Sequence, residues 1–269
     1  MNQIPRPLSI ELLGPLSLRL DQTPVRTSAP KQRQVLALLA LNAGRVVTVP
    51  TLIEELWRNS PPRSYATTLQ TYVFQLRNAL AAADAGNPGA RRILSTRGTG
   101  YLLERDACQT DVEVFDRRVR AGYAAAEAAD HRLTSEELGR ALQLWRGSAL
   151  EDIRVGRVLE IEATSLEESR LRALERRIEA DLALGRHADL LGELTFVAAK
   201  HPMNENLCAL LMTALSRAGH AGRSLQAFHR LRSVLDAELG IEPSAPLQRL
   251  AAAVQSGDLA TVPGRRAAS

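Results

Sequence analysis

Residues 64–83 read SYATTLQTYVFQLRNALAAA, with apolar side chains recurring at Leu69, Val73, Leu76 and Leu80. That i, i+4, i+7, i+11 spacing predicts one helix with a narrow core-facing stripe. At about 100° per residue the opposite face carries Thr67, Thr71, Phe74, Gln75 and Asn78, flanked by Thr68, Tyr72 and Arg77. Solvated helix faces are usually laced with Glu and Lys, yet Arg77 is the only charged side chain in the stretch. Short hydroxyls, amides and an aromatic ring suit base edges, since Gln and Asn pair with adenine and an apolar group meets the thymine methyl. The same face would also suit packing against another domain, and Phe74 separates the two readings only weakly.

Working outward, Pro61 and Pro62 end a preceding helix at 50–58, capped by Thr48, with Leu52, Ile53, Leu56 and Trp57 on one face. A short extended piece at 45–47 precedes it. Before that, Pro30 suits the first turn of a helix that carries Val35, Leu38 and Leu39 until Gly44, with Ser28 as its cap. Residues 8–20, LSIELLGPLSLRL, alternate as two short strands broken by Gly14 and Pro15. Downstream, residues 91–104, RRILSTRGTGYLLE, read as a hairpin turning at Gly98–Gly100 with Arg97 at its tip. Glycines there let the backbone come close to a surface, and a guanidinium so placed can enter a minor groove or hold phosphate; a lone hairpin arginine is otherwise solvated and idle.

Three helices, a hairpin and an N-terminal sheet are the parts of a winged helix-turn-helix. The segments VLALLALNAGRVVTVPTLIEELW, TLQTYVFQLRNAL and ILSTRGTGYLL resemble the OmpR-type DNA-binding domain, in particular that of the Streptomyces antibiotic regulatory protein family. The resemblance implies that the third helix lies in the major groove, with Thr67, Thr68, Tyr72, Gln75 and Arg77 on positions that meet bases or phosphates; Thr71 and Phe74 join them as candidate DNA contacts from the helical face. It also implies that Ser95, Arg97 and Tyr101 take phosphate or minor-groove positions in the wing. Trp57 falls on a backbone-contacting position, with a core role as the alternative. Arg58, Asn59, Ser60 and Arg63 form the loop that would face polymerase or its sigma factor. Thr67, Phe74 and Gln75 stand where many OmpR-type relatives carry arginines, which suggests a more apolar, thymine-tolerant readout.

From Asp111 onward helical patterns dominate, in segments 111–129, 134–146, 158–184, 187–200, 204–218, 221–239 and 244–255. GRHADLL at 185–191 and GHAGRSL at 219–225 repeat at an offset of 34 residues, the tetratricopeptide period. LWRGSALEDI at 144–153 and the stretch from His201 to Pro243 resemble the bacterial transcriptional activation domain of the same family. The charge-rich run from Glu160 to Asp181 reads as a solvated helix. The expected division is a DNA-binding domain at 1–107, an all-α tetratricopeptide-like domain at 108–256 and a frayed tail at 257–269.

Composition narrows the function classes. The chain has 269 residues, 45% hydrophobic and 24% charged, close to the soluble globular norm. Its formal charge of +4 divides into net +7 over residues 1–105 and net −3 over the rest, so the basic character belongs to the N-terminal third. Cys108 and Cys208 read as inert thiols. Lys31 precedes Gln32 and Lys200 precedes His201, so there is no Walker loop; the five histidines never fall four apart, and no G-x-S-x-G or G-x-G-x-x-G occurs. No catalytic residue, cofactor or metal is expected. No run of about 18 apolar residues suggests a membrane span, and the start is too polar for a secretory signal, which points to the cytoplasm and the nucleoid.

The expectation is a sequence-specific transcriptional activator on double-stranded promoter DNA. The resemblance adds direct-repeat sites, tandem protomers or a homodimer, recruitment of RNA polymerase, and an antibiotic gene cluster as target. The competing class is a helical-repeat protein-interaction scaffold.

Overall fold

A computed structural model describes residues 8–21, 23–27, 29–58, 60–84 and 92–257. Packing divides the chain into two units, Met1–Val119 with Arg140–Arg170, and Arg120–Gly139 with Leu171–Ser269. Leu150, Ile153 and Leu159, which lie beyond the sequence boundary expected at 107, complete the same apolar core as the winged helix, so packing groups residues 140–170 with it. The tail, apart from Gly257, lies outside the described residues.

In the first unit, β1 (Leu8–Glu11), β2 (Ser17–Leu20), β3 (Thr23–Pro24) and β7 (Cys108–Thr110) form a sheet in the order β3-β2-β1-β7. Strands β1 and β2 pair antiparallel with Leu8 opposite Leu20, as the alternating pattern predicts. The parallel β1–β7 pairing was not foreseen. A strand of three residues, Cys108 and Thr110 inward and Gln109 outward, is too short for its period to stand out.

Helices α1 (Pro30–Leu41), α2 (Val49–Trp57) and α3 (Tyr65–Ala83) follow. Pro30 opens α1 behind Ala29, which gives no side-chain cap, while the expected cap Ser28 lies outside the described residues. Thr48 caps α2 by accepting the Thr51 N–H. Leu69, Val73, Leu76 and Leu80 of α3 are buried to within 2%. Each contributes about 1.5–3 kcal/mol through burial, which fixes the rotation of α3 and so its outer face. Strands β5 (Leu94–Arg97) and β6 (Gly100–Leu103) make the hairpin, and β4 (Val47–Thr48) pairs with β6 to form the winged helix-turn-helix.

The charge-rich helix α6 (Arg157–Ala183) crosses from one unit to the other. It is not simply solvated: the Glu167 carboxylate accepts the Ala149 N–H at 2.8 Å, and the Arg170 guanidinium sits 4.6 Å from the Trp145 ring centre. In the second unit α7 (Leu191–Lys200), α8 (Glu205–Arg217), α9 (Ala221–Leu239) and α10 (Ala245–Ser256) stack in succession. Gly185 and Gly219, 34 residues apart, have φ of +80° and +81°. The repeat seen in the letters is therefore also a repeat of the backbone. Helices α4 (Asp111–Glu127) and α5 (His131–Leu142) precede them.

Candidate nucleic-acid interface

The outer face of α3 is open. Thr67, Thr71 and Gln75 are exposed, and Phe74 is 59% exposed. Its ring stands on the face opposite the buried stripe of Leu69, Val73, Leu76 and Leu80. The Thr71 hydroxyl donates to the Thr67 carbonyl at 2.9 Å. Gln75 accepts a hydrogen bond from the Gln32 amide of α1, which fixes the rotamer of the one long amide on the face. Thr68 and Tyr72 are half-buried on the flanks, with Tyr72 packed against the core.

Arg77 joins α3 to the wing. Its Nε donates to the Leu94 carbonyl at 2.8 Å and its Nη2 to the Thr96 hydroxyl at 2.9 Å. Expected to meet bases or phosphates, it also ties the helix to the hairpin through these two bonds. A second tie runs along the wing, where Glu104 accepts from the Ser95 hydroxyl at 2.8 Å and from Arg97 at 3.1 Å. The hydrogen bonds from Ser95 and then Arg97 hold the Glu104 carboxyl below its ordinary pKa. Ser95 and Arg97 thus share one carboxylate, with Arg97 exposed at the tip.

Two wing positions serve the fold. Tyr101 is buried in the core cluster, because alternation along β6 turns it inward. Gly100 approaches protein rather than an outside surface: a Cβ there would lie 2.2 Å from the Val47 carbonyl oxygen. Gly98, with φ +51°, provides the turn and has open space around it.

Trp57 is half-buried against the core, and the Lys31 ammonium lies 4.8 Å from its ring centre while bonding to the Leu56 carbonyl. Burial, with Arg154 nearby, lowers the Lys31 pKa. After Trp57 the chain reverses at Arg58, where φ is +52°. Arg58 lies 3.5 Å from Glu160, while Ser60 and Arg63 are exposed and Asn59 lies outside the described residues.

Sequence reasoning missed Glu104, Gln32 and Glu55. Glu55 is 1% exposed and accepts N–H groups from Gly156 at 2.5 Å, Val158 at 3.0 Å and Leu159 at 2.9 Å. The one available signal was Glu55, the second of two adjacent carboxylates in LIEELW, placed between the apolar positions Leu52 and Leu56. Among the described residues no helix is long and apolar enough to cross a membrane.

Comparison with known proteins agrees with this fold. The family model for the C-terminal domain of transcriptional regulatory proteins matches residues 23–103, and that for the bacterial transcriptional activator domain matches residues 110–255. Regulatory protein DnrI of Streptomyces peucetius is 47% identical over 253 residues, covering 93% of each chain. Transcriptional regulator RedD of Streptomyces coelicolor is 36% identical, covering 93% of this chain and 71% of its own. The solved structure of Mycobacterium tuberculosis EmbR in complex with a low-affinity phosphopeptide aligns with a TM-score of 0.84 at 35% identity, covering 93% of this chain and 65% of that one.

Proposed function

The chain belongs to the Streptomyces antibiotic regulatory protein family of transcriptional regulators, and from that premise we propose that it activates an antibiotic biosynthetic cluster by reading promoter direct repeats and recruiting RNA polymerase. The observation that carries the reading is the open face of α3, with Phe74 and Gln75 outward, tied by Arg77 to a wing that carries Arg97 exposed at its tip. Phosphates would set orientation through Arg97 and the basic N-terminal third, and α3 would discriminate bases.

Thr67, Thr71, Phe74 and Gln75 are the proposed readers, and Ser95 and Arg97 the proposed wing contacts. Arg77 and Tyr101 act behind them, by spacing and by packing. Two protomers would sit head to tail, since direct repeats relate half-sites by translation. The loop Arg58, Ser60 and Arg63, with Asn59 between, is proposed to face polymerase and its sigma factor. The protein works by binding, in the cytoplasm at the nucleoid.

A gel-shift titration at several salt concentrations tests this. Preference for a repeated promoter site, with affinity falling steeply as salt rises, is the expected result. Equal binding to any duplex, or none, would overturn it in favour of a helical-repeat scaffold.

A further inference from the structure

The second unit holds a cleft of about 340 Å³ between α7, α8 and α9, lined by none of the residues assigned to DNA. Its floor is aliphatic, built from Ala198, Leu211, Leu215 and Ala227, and its rim carries Arg223 and Arg230. No carboxylate lines it. Among the described residues neither arginine has a hydrogen-bond or ion-pair partner, whereas Arg232 on the same helix pairs with Glu242 at 2.7 Å. Two unneutralised guanidinium groups over an apolar floor, in a half of the chain that is net acidic, call for an anionic partner.

The polar groups of the cleft decide which kind. Asn204 donates to Glu175 at 2.9 Å and accepts the Leu207 N–H at 3.0 Å, so its amide is already engaged. Burial pushes the Cys208 thiol up to about 12, so it offers no charge. A small-molecule pocket would turn a few polar groups inward to orient its ligand. Here charge stands on an open rim around a greasy strip, the anatomy of a protein interface. Arg223 and Arg230 are seven residues apart on α9, about 10 Å at 1.5 Å rise per residue. That distance equals two turns of a second helix laid alongside.

We propose that the α7–α8–α9 cleft is a docking site for an acidic amphipathic helix of a partner protein, with carboxylates seven residues apart bracketing two aliphatic side chains. The apolar pair enters the floor, and the carboxylates meet Arg223 and Arg230.

The test uses the full chain and a labelled synthetic helix of about 15 residues, with two Glu seven apart enclosing two Leu. Fluorescence anisotropy should show saturable binding that weakens with salt. Arg223→Glu with Arg230→Glu should reduce the affinity at least about tenfold. A peptide with Lys in place of Glu should not bind, and Ala199→Trp, which fills the cleft without changing charge, should block it. Far-UV circular dichroism should be unchanged, since both arginines are exposed. Equal binding of the Lys peptide, or an unaffected double variant, overturns the proposal. So does displacement by dodecanoate as effective as by the peptide, which would make the cleft a small-molecule pocket. Self-association that the double variant abolishes would overturn it in favour of a second copy of the chain. Promoter binding uses other residues, so it should survive in the double variant whichever way the peptide result falls.

Discussion

The Glu55 carboxylate accepts the Gly156 N–H at 2.5 Å across a separation of 101 residues, and the same group takes the N–H groups of Val158 and Leu159. An acidic side chain from α2 thereby caps the first turn of α6, where main-chain N–H groups lack helical partners and favour negative charge. Gly156 permits the approach, because a Cβ there would stand 2.1 Å from the Glu55 carbonyl oxygen.

Removing that carboxylate should therefore be costly. Glu55→Ala leaves three N–H groups without their acceptor, and at about 1–3 kcal/mol for each unsatisfied buried donor a loss of about 3 kcal/mol or more is expected. Gly156→Ala should destabilise as well, through overlap rather than lost bonding. Urea denaturation reads both, and a Glu55→Ala cost below about 1 kcal/mol would mean that solvent substitutes for the carboxylate.

Freeing the wing arginine should change DNA binding in a sequence-independent way. Glu104→Gln weakens the hold on Arg97, and a gel shift should show tighter binding to specific and unrelated duplexes alike. Arg97→Ala should weaken both and lower the salt slope by about one.

Because its hydrogen bonds lower the Glu104 pKa, the folded carboxyl ionises at lower pH than the unfolded one. Its contribution is present above the unfolded pKa and lost only as pH falls through the lowered folded value. Wing order should thus stay constant from about pH 6 to 8. Relaxation measurements on the wing amides across that range would detect a change if another group controlled it.

Arg77 and Gln75 should separate cleanly. Arg77→Ala loses two wing hydrogen bonds and should cost about 1.5–3 kcal/mol for a charged donor, with weaker binding to every site. Gln75→Ala should leave stability alone and alter preference at one base position, and Phe74→Ala should relax one base step. Site selection from a randomised duplex pool checks this, and an unchanged consensus in both α3 variants would refute the base-reading role.

Both thiols should resist modification. Burial raises Cys108 to about 11 and Cys208 to about 12, so almost no thiolate forms near neutrality. Alkylation by iodoacetamide should be slow in the native protein and fast in urea.

Much of the fold was legible because its signals are periodic. The stripe Leu69, Val73, Leu76, Leu80 gave α3 and its outer face, and the spaced glycines gave the repeat. What escaped lies in pairings distant along the chain. Nothing near Cys108 announces a strand that pairs with β1, and nothing near Leu150, Ile153 or Leu159 announces a place in the N-terminal core. At the candidate site, exposure of Thr67, Phe74 and Gln75 followed from helical period alone. The work of Arg77 did not, since its partners Leu94 and Thr96 sit on the hairpin, and Tyr101 was drawn inward by strand alternation.

The interleaving of residues 140–170 with the winged helix bears on how such regulators diversify. Gene fusions that graft a fresh helical half at residue 107 would discard Leu150, Ile153, Leu159 and the N–H groups that Glu55 caps, leaving a raw hydrophobic scar on the DNA reader. A workable chimera must carry that segment along, so the heritable module here is a discontinuous one, and its seam lies within α6.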